Sequence, residues 1–106
     1  MAWIVLVVAG LFEIAWAFAM KQSDGFTRPW PTVIMVLTML LSFLLLAWAM
    51  RSLPLGTAYT VWTGIGAVGA FVVGIAVLGE PASGLRIVAA SLIVSGLVLM
   101  KLSSPS

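Results

Sequence analysis

The sequence predicts an all-α membrane protein with four transmembrane helices in each chain, and three observations support this prediction. Of its 106 residues, 63% are hydrophobic and only 8% are charged, whereas soluble domains average about 25% charged residues. The apolar residues form four long runs that short polar segments separate. Each run approaches the ~20 residues that a helix needs to cross the hydrocarbon core, whereas barrel strands are about 10 residues long and alternate in polarity.

The sequence predicts four helices and three short connections within a single domain. We expect helices at residues 2–20, 32–50, 57–78 and 86–102 of the domain 1–106, followed by a fraying Ser/Pro tail. Pro31 suits the first turn of the second helix, where no N–H donor is needed. Pro54 marks a tight second connection, and Gly79 and Pro81 mark the third. The first run lacks a basic flank and is longer than the apolar part of a signal peptide, so we expect it to stay as a helix.

Composition excludes several classes of function. With no His and no Cys, the chain offers no disulfide, no thiolate metal site and no usual catalytic constellation. We therefore expect neither an enzyme nor a bound cofactor or metal. The basic residues are scattered singly along the sequence, which argues against nucleic acid binding because that requires a concentrated basic surface.

Positive charges are nearly balanced across the membrane. One side carries Lys21, Arg28 and Arg86, and the other carries Arg51, Lys101 and the terminal amine. Cytoplasmic loops normally have an excess of Lys and Arg, so either one charge tips the balance or the chain inserts both ways and pairs antiparallel. Four short helices can hardly enclose a solvated pathway and also shield it from lipid, so we expect an oligomer.

Glu13 is the one acidic residue near the middle of an apolar run, since Asp24 and Glu80 lie in loops. A charge at that depth costs about 2.5–3.5 kcal/mol on insertion scales, and such residues usually bind an ion, a proton or a partner charge. Every Lys and Arg lies in a loop or at a helix end. The sequence therefore favours a site for protons or cations over a carboxyl group held by a structural hydrogen bond.

Five further residues are candidates for lining this site. Gly10 and Trp16 lie three residues to either side of the carboxylate and share its helix face, and Gly10 leaves room for a ligand or a neighbouring helix. Ser42 is expected to bond either its own i−4 carbonyl or the carboxylate. Tyr59 and Trp62 are three residues apart and attract organic cations through cation–π contacts, unless they belong to an interfacial aromatic belt.

Small residues in the last two helices predict packing roles. Gly64 and Gly66 permit either close helix contact or a kink in the third helix. Ala89, Ser95 and Gly96 give the fourth helix a surface that suits packing against a second copy of the chain.

The chain resembles the small multidrug resistance transporters over nearly its whole length. The resemblance rests on Glu13, on the loop at residues 21–28, on Pro31 and, most specifically, on the stretch at residues 55–66. It implies an antiparallel, dual-topology homodimer in the cell inner membrane. It also implies that protons are exchanged for cations through the carboxylate of the first helix.

The branch of the family is also indicated. Trp16 and residues 62–69 are similar to the guanidinium exporters, whereas the promiscuous branch has a small residue in place of Trp16. The resemblance implies export of guanidinium and small guanidinyl cations. It also implies a site made by Glu13, Trp16, Ser42, Tyr59 and Trp62. Three alternatives stay open: a broad exporter of quaternary ammonium cations, an accessory subunit that transports nothing, and a passive leak.

Overall fold

The computed structural model describes residues 1–103 and contains four α-helices over that range. They are α1 (Ala2–Gln22), α2 (Pro29–Ala49), α3 (Leu55–Ala76) and α4 (Gly84–Ser103). All four are long and apolar enough to cross a membrane, and residues 1–103 contain no strand. The predicted all-α membrane fold is therefore confirmed. Residues 104–106 of the predicted tail lie outside the described part.

Seven of the eight helix ends differ from the predicted ones by one to three residues, and α1 begins at Ala2 as predicted. The largest difference is at α2, which begins at Pro29 and so has two prolines near its start. Both fit there because the first N–H groups of a helix have no partner within it. The helix α3 begins directly after Pro54, whose extended backbone makes it the N-cap. The helices α1 and α4 run one or two residues beyond the predicted spans.

The helices form a thin layer in which α1 lies between α2 and α3, and α4 lies beside α3. The Cα atoms span 43 × 34 × 16 Å. The smallest extent is about that of two packed helices, whose axes lie about 8–10 Å apart and whose Cα atoms lie about 2.3 Å from each axis. A single chain is too thin to surround a substrate at the middle of the membrane, which agrees with the expectation of an oligomer.

Close packing is concentrated at the end of the layer near residues 50–54, the second loop. The buried core residues there are Leu6, Ala9, Leu46, Ala49, Leu53, Ala58, Val61 and Trp62. Glu13 lies beyond this cluster along α1, toward the loops at residues 23–28 (loop one) and 77–83 (loop three). The carboxylate is therefore at the edge of the packed half of the chain.

Small residues bring α1 and α3 close together. A Cβ atom on Gly10 would lie 2.6 Å from Cγ2 of Ile65, and one on Gly69 would overlap the side chain of Ile14. These contacts advance in the same direction along both helices, so α1 and α3 run parallel and loops one and three lie on the same side. Gly10 therefore allows α3 to pack closely on α1, which is one of the two roles predicted for it, and its role in lining the site stays a prediction.

The two candidate kink residues lie inside a continuous α3. A Cβ atom on Gly64 would lie 2.5 Å from Cδ2 of Leu97 in α4, and Gly66 faces α1. Both glycines thus allow neighbouring helices to approach, which is one of the two predicted roles. A hinge at Gly64 and Gly66 stays a prediction.

The fourth helix has no buried residue in the single chain. Ala89, Ser95 and Gly96 are all exposed, and a Cβ atom on Gly96 would meet nothing within 4 Å. This surface is open to lipid or to a second copy of the chain. Its predicted role in dimer packing stays a prediction.

Candidate functional site

The carboxylate of Glu13 lies against the backbone of α3. Glu13 is the twelfth of the 21 residues of α1, and a Cβ atom on Gly66 would overlap its carboxylate. The Oε1 atom is buried, and no hydrogen-bond partner for it exists among residues 1–103. An isolated charge or an unpaired polar atom is expensive to bury. Glu13 therefore presents, near the middle of α1, a carboxylate oxygen that no group among the described residues binds.

Basic side chains within the described residues do not supply this partner. The described ion pair joins Arg86 to Glu80 in the loop-three region, with 3.8 Å between Nη2 and Oε1. Residues 1–103 also contain no group of three His, Cys, Asp or Glu side chains that could hold a metal ion. What the geometry offers at Glu13 is a single acceptor group for a proton or for a cation with N–H donors.

Ser42 connects three helices instead of bonding to either expected partner. Its hydroxyl donates to the carbonyl oxygen of Ala9 in α1 at 2.7 Å and accepts the indole N–H of Trp62 at 2.9 Å. The serine is completely buried and Trp62 is 6% exposed. Both expectations for the hydroxyl, a bond to its own helix and a bond to Glu13, are wrong. Ser42 fixes the orientation of the Trp62 ring.

Aromatic rings from three helices form a continuous row. The ring centroids of Trp16 and Phe43 are 6.4 Å apart, those of Phe43 and Trp62 are 5.7 Å apart, and those of Tyr59 and Trp62 are 5.6 Å apart. These separations are within the usual range for interacting aromatic pairs. The structure thus brings together Trp16, Tyr59 and Trp62, three of the predicted lining residues.

Phe43 completes this row and was not among the predicted site residues. It follows Ser42 directly, and it is the aromatic residue of α2 that lies between the two tryptophans near the helix ends, Trp30 and Trp48. Its aromatic ring away from the helix ends is the one signal in the sequence, and it does not show which helix the ring faces. Because α2 is apolar on all sides, the sequence does not show which of its residues face α1.

The indole N–H of Trp16 is the second polar group near Glu13 without a partner. Its Nε1 atom is buried and has no hydrogen-bond partner among the described residues. Trp16 lies one turn beyond Glu13 on the same face of α1, so one face carries an unpaired acceptor and an unpaired donor. Tyr59, in contrast, is 53% exposed in the single chain, so its ring is open to a ligand or a partner.

Replacing Ser42 with Ala should destabilise the protein by about 1 kcal/mol. The substitution leaves the buried Trp62 N–H and the Ala9 carbonyl without their shared partner. Unfolding in mixed detergent micelles, followed by tryptophan fluorescence, measures the loss. Ser91→Ala is the matched control because Ser91 bonds only its own helix, through the Ile87 carbonyl at 2.9 Å. Equal effects of the two substitutions would show that the Ser42 bonds add nothing.

Comparison with known proteins decides the family. The family profile described as Small Multidrug Resistance protein matches residues 1–93. This chain belongs to the small multidrug resistance family. Among its relatives, the guanidinium exporter of Escherichia coli strain K12 is 56% identical over 104 residues, which are 98% of this chain and 99% of that protein. The guanidinium exporters of Citrobacter freundii and Salmonella typhimurium are 54% identical over the same shares.

These matches confirm the resemblance stated from the sequence, including its branch. Membership of the family, together with four spans, makes the chain a multi-pass membrane protein, and the inner membrane fits a bacterial exporter. The relatives are named as exporters, which points to transport and away from catalysis. The family match covers Glu13 and all the residues of the aromatic row.

Proposed function

We propose that this chain is a proton-coupled antiporter that exports guanidinium and small guanidinyl cations across the bacterial inner membrane. Protons and substrate compete for Glu13. The observation that carries the proposal is the buried Oε1 atom of Glu13, which has no hydrogen-bond partner among the described residues. The relatives named guanidinium exporter support the substrate class.

Guanidinium suits this environment better than a compact cation does. It is planar and presents a fork of N–H donors that matches the geometry of a carboxylate. Its face also stacks on aromatic rings, and each cation–π contact contributes about 0.5–2 kcal/mol. Trp16 and Tyr59, whose ring is 53% exposed, are rings of this kind in the aromatic row.

A second copy of the chain completes the site. The Cα layer is only 16 Å thick, so one chain leaves Glu13 without a wall on one side. In an antiparallel homodimer, two Glu13 side chains share one site at the midplane, as in transporters built from inverted repeats. Two carboxylates then grip one planar cation from both sides.

Proton and guanidinium transport are coupled because the two ions cannot occupy the site at the same time. The carboxylates hold protons or guanidinium, but not both together, and the dimer exposes its site to one side of the membrane at a time. Protons that enter the cell therefore drive guanidinium out. The apparent affinity for guanidinium must fall as the pH on the binding side falls, because protons then occupy the carboxylates.

Guanidinium uptake into proteoliposomes tests the proposal. With an acidic interior, protons leave through the protein and labelled guanidinium accumulates inside. Collapse of the pH gradient by an ionophore should stop the accumulation. Uptake that ignores the gradient would indicate a passive leak, and no uptake of any cation would indicate an accessory subunit.

A broad exporter of quaternary ammonium cations is the second candidate function. The exposed rings favour it, because Tyr59 is 53% and Phe43 is 45% exposed, and such rings attract cations that lack N–H donors. Competition separates the two candidates. An excess of a bulky quaternary ammonium should leave guanidinium uptake nearly unchanged if guanidinium is the preferred substrate.

Replacing Trp16 with Gly should widen the range of substrates. The substitution removes a ring that packs edge-on to Phe43 on the face that carries Glu13. We expect bulky quaternary ammonium cations to inhibit guanidinium uptake about tenfold more strongly, since pocket shape sets discrimination of this size. Trp48→Gly is the control because Trp48 lies at the end of α2. Unchanged specificity of Trp16→Gly would show that Trp16 only packs.

A further inference from the structure

A cleft that Glu13 does not line holds a guanidinium group of the chain itself, that of Arg86. A cleft of about 340 Å³ lies between α1 and α3 at the end that carries loops one and three. Its wall is apolar and includes Ile14, Ala17 and Phe71, while its rim carries Lys21, Glu80 and Arg86. The cleft thus combines charged side chains with an aromatic ring at the membrane surface.

The guanidinium of Arg86 occupies this rim. Its Nη1 donates to the carbonyl oxygen of Pro81 at 2.8 Å, and its Cζ lies 5.2 Å from the centroid of the Phe71 ring. Its Nη2 lies 3.8 Å from Oε1 of Glu80. A carbonyl, an aromatic face and a carboxylate are the three kinds of group that bind guanidinium cations.

The backbone at the end of α3 places the carboxylate of Glu80 at the rim. Gly79 has φ of +70°, which turns the chain back so that the N–H of Glu80 donates to the carbonyl of Gly74 at 3.0 Å. This bond folds the chain back onto the last turn of α3. A Cβ atom on Gly74 would lie 2.6 Å from Oε1 of Glu80. The carboxylate therefore lies over the last turn of α3, and both glycines are needed to bring it there.

Arg86 is held weakly by the carboxylate. The 3.8 Å separation is longer than the 2.7–2.9 Å typical of a charge-assisted hydrogen bond. The two side chains are 41% and 42% exposed, and exposed ion pairs contribute little. A free guanidinium that approaches Glu80 directly can therefore compete with Arg86.

We infer that Glu80, the Pro81 carbonyl and the Phe71 ring form a second guanidinium site, which Arg86 occupies until substrate displaces it. The inference rests on the proposed function, since it makes this site a staging point for the cation bound by Glu13. The cleft includes Ile14, whose side chain packs on Gly69 one turn from the contact of Glu13 with Gly66. The cleft therefore reaches the residue that directly follows Glu13 in α1.

The direction in which two substitutions change the KM for guanidinium tests the inference. Glu80→Gln removes the negative charge and should raise the KM for guanidinium uptake about threefold. Arg86→Gln removes the competing guanidinium and should lower the KM about threefold, the size expected for an exposed pair. The turnover number should stay unchanged in both variants. A purely structural pair predicts the same direction of change in both, because either substitution breaks it.

Lys21→Gln is the matched control. It removes one positive charge from the same rim but no guanidinium group. A fall in KM equal to that of Arg86→Gln would show general electrostatic repulsion and overturn the site. If Glu80→Gln and Arg86→Gln take up guanidinium with unchanged KM, the second site is overturned but the proposed function stands. If the wild type shows no coupled uptake, the proposed function is overturned as well.

Discussion

Glu13→Gln should abolish guanidinium uptake driven by a pH gradient while the protein stays folded. Glutamine keeps the size of the side chain but carries no charge and accepts no proton. Loss of a charge that pairs with a cation in the binding site costs about 2–5 kcal/mol, so uptake should fall by about thirtyfold to several thousandfold. Initial rates in proteoliposomes measure the effect.

Two controls make this result interpretable. Helical circular dichroism and size-exclusion chromatography in detergent should match the wild type, because Oε1 of Glu13 has no hydrogen bond within the described residues to lose. Asp24→Asn removes an acidic side chain from an exposed loop and should leave uptake unchanged. Retained coupled uptake by Glu13→Gln would place the exchange of protons and cations on another group.

Gly66→Ala should reduce guanidinium uptake about tenfold, although it adds only one methyl group. A Cβ atom at this position would overlap the carboxylate of Glu13, so the side chain must move away from α3. Overpacking of this kind costs about 1–3 kcal/mol, and the side chain can move without unfolding the helix. The KM for guanidinium in the proteoliposome assay should rise accordingly.

Gly56→Ala is the matched control for this effect. It lies in the same helix, and a Cβ atom there would meet nothing within 4 Å. Thermal stability in detergent should be similar for both variants if the effect of Gly66→Ala is local to Glu13. Normal uptake by Gly66→Ala would show that the position of the carboxylate against α3 is unimportant for binding.

The sequence was sufficient to predict the helices and the central acidic residue. The bilayer fixes the length of a spanning helix, so apolar runs of that length leave little choice of fold. Glu13 stood out because a charge in mid-membrane is expensive and no other acidic residue lies at that depth. Both inferences depend on position along the chain and not on how the helices are rotated.

The sequence could not predict the contacts between helices, because these depend on how each helix is rotated about its axis. The four helices are apolar on all sides, so no polar face shows which residues meet. The hydroxyl of Ser42 could therefore not be assigned to Ala9 and Trp62, and Phe43 could not be placed in the aromatic row. Gly10 lies on the same face as Glu13, and the sequence does not show that Ile65 packs against it.

Proton release on guanidinium binding tests the central claim most directly. Guanidinium is added to the detergent-solubilised protein in weak buffer at mildly acidic pH, and a pH-sensitive dye reports released protons. If protons and guanidinium compete for Glu13, the wild type should release protons as it binds the cation, and Glu13→Gln should release none. Saturable binding of guanidinium to the wild type without proton release would contradict shared occupancy of Glu13.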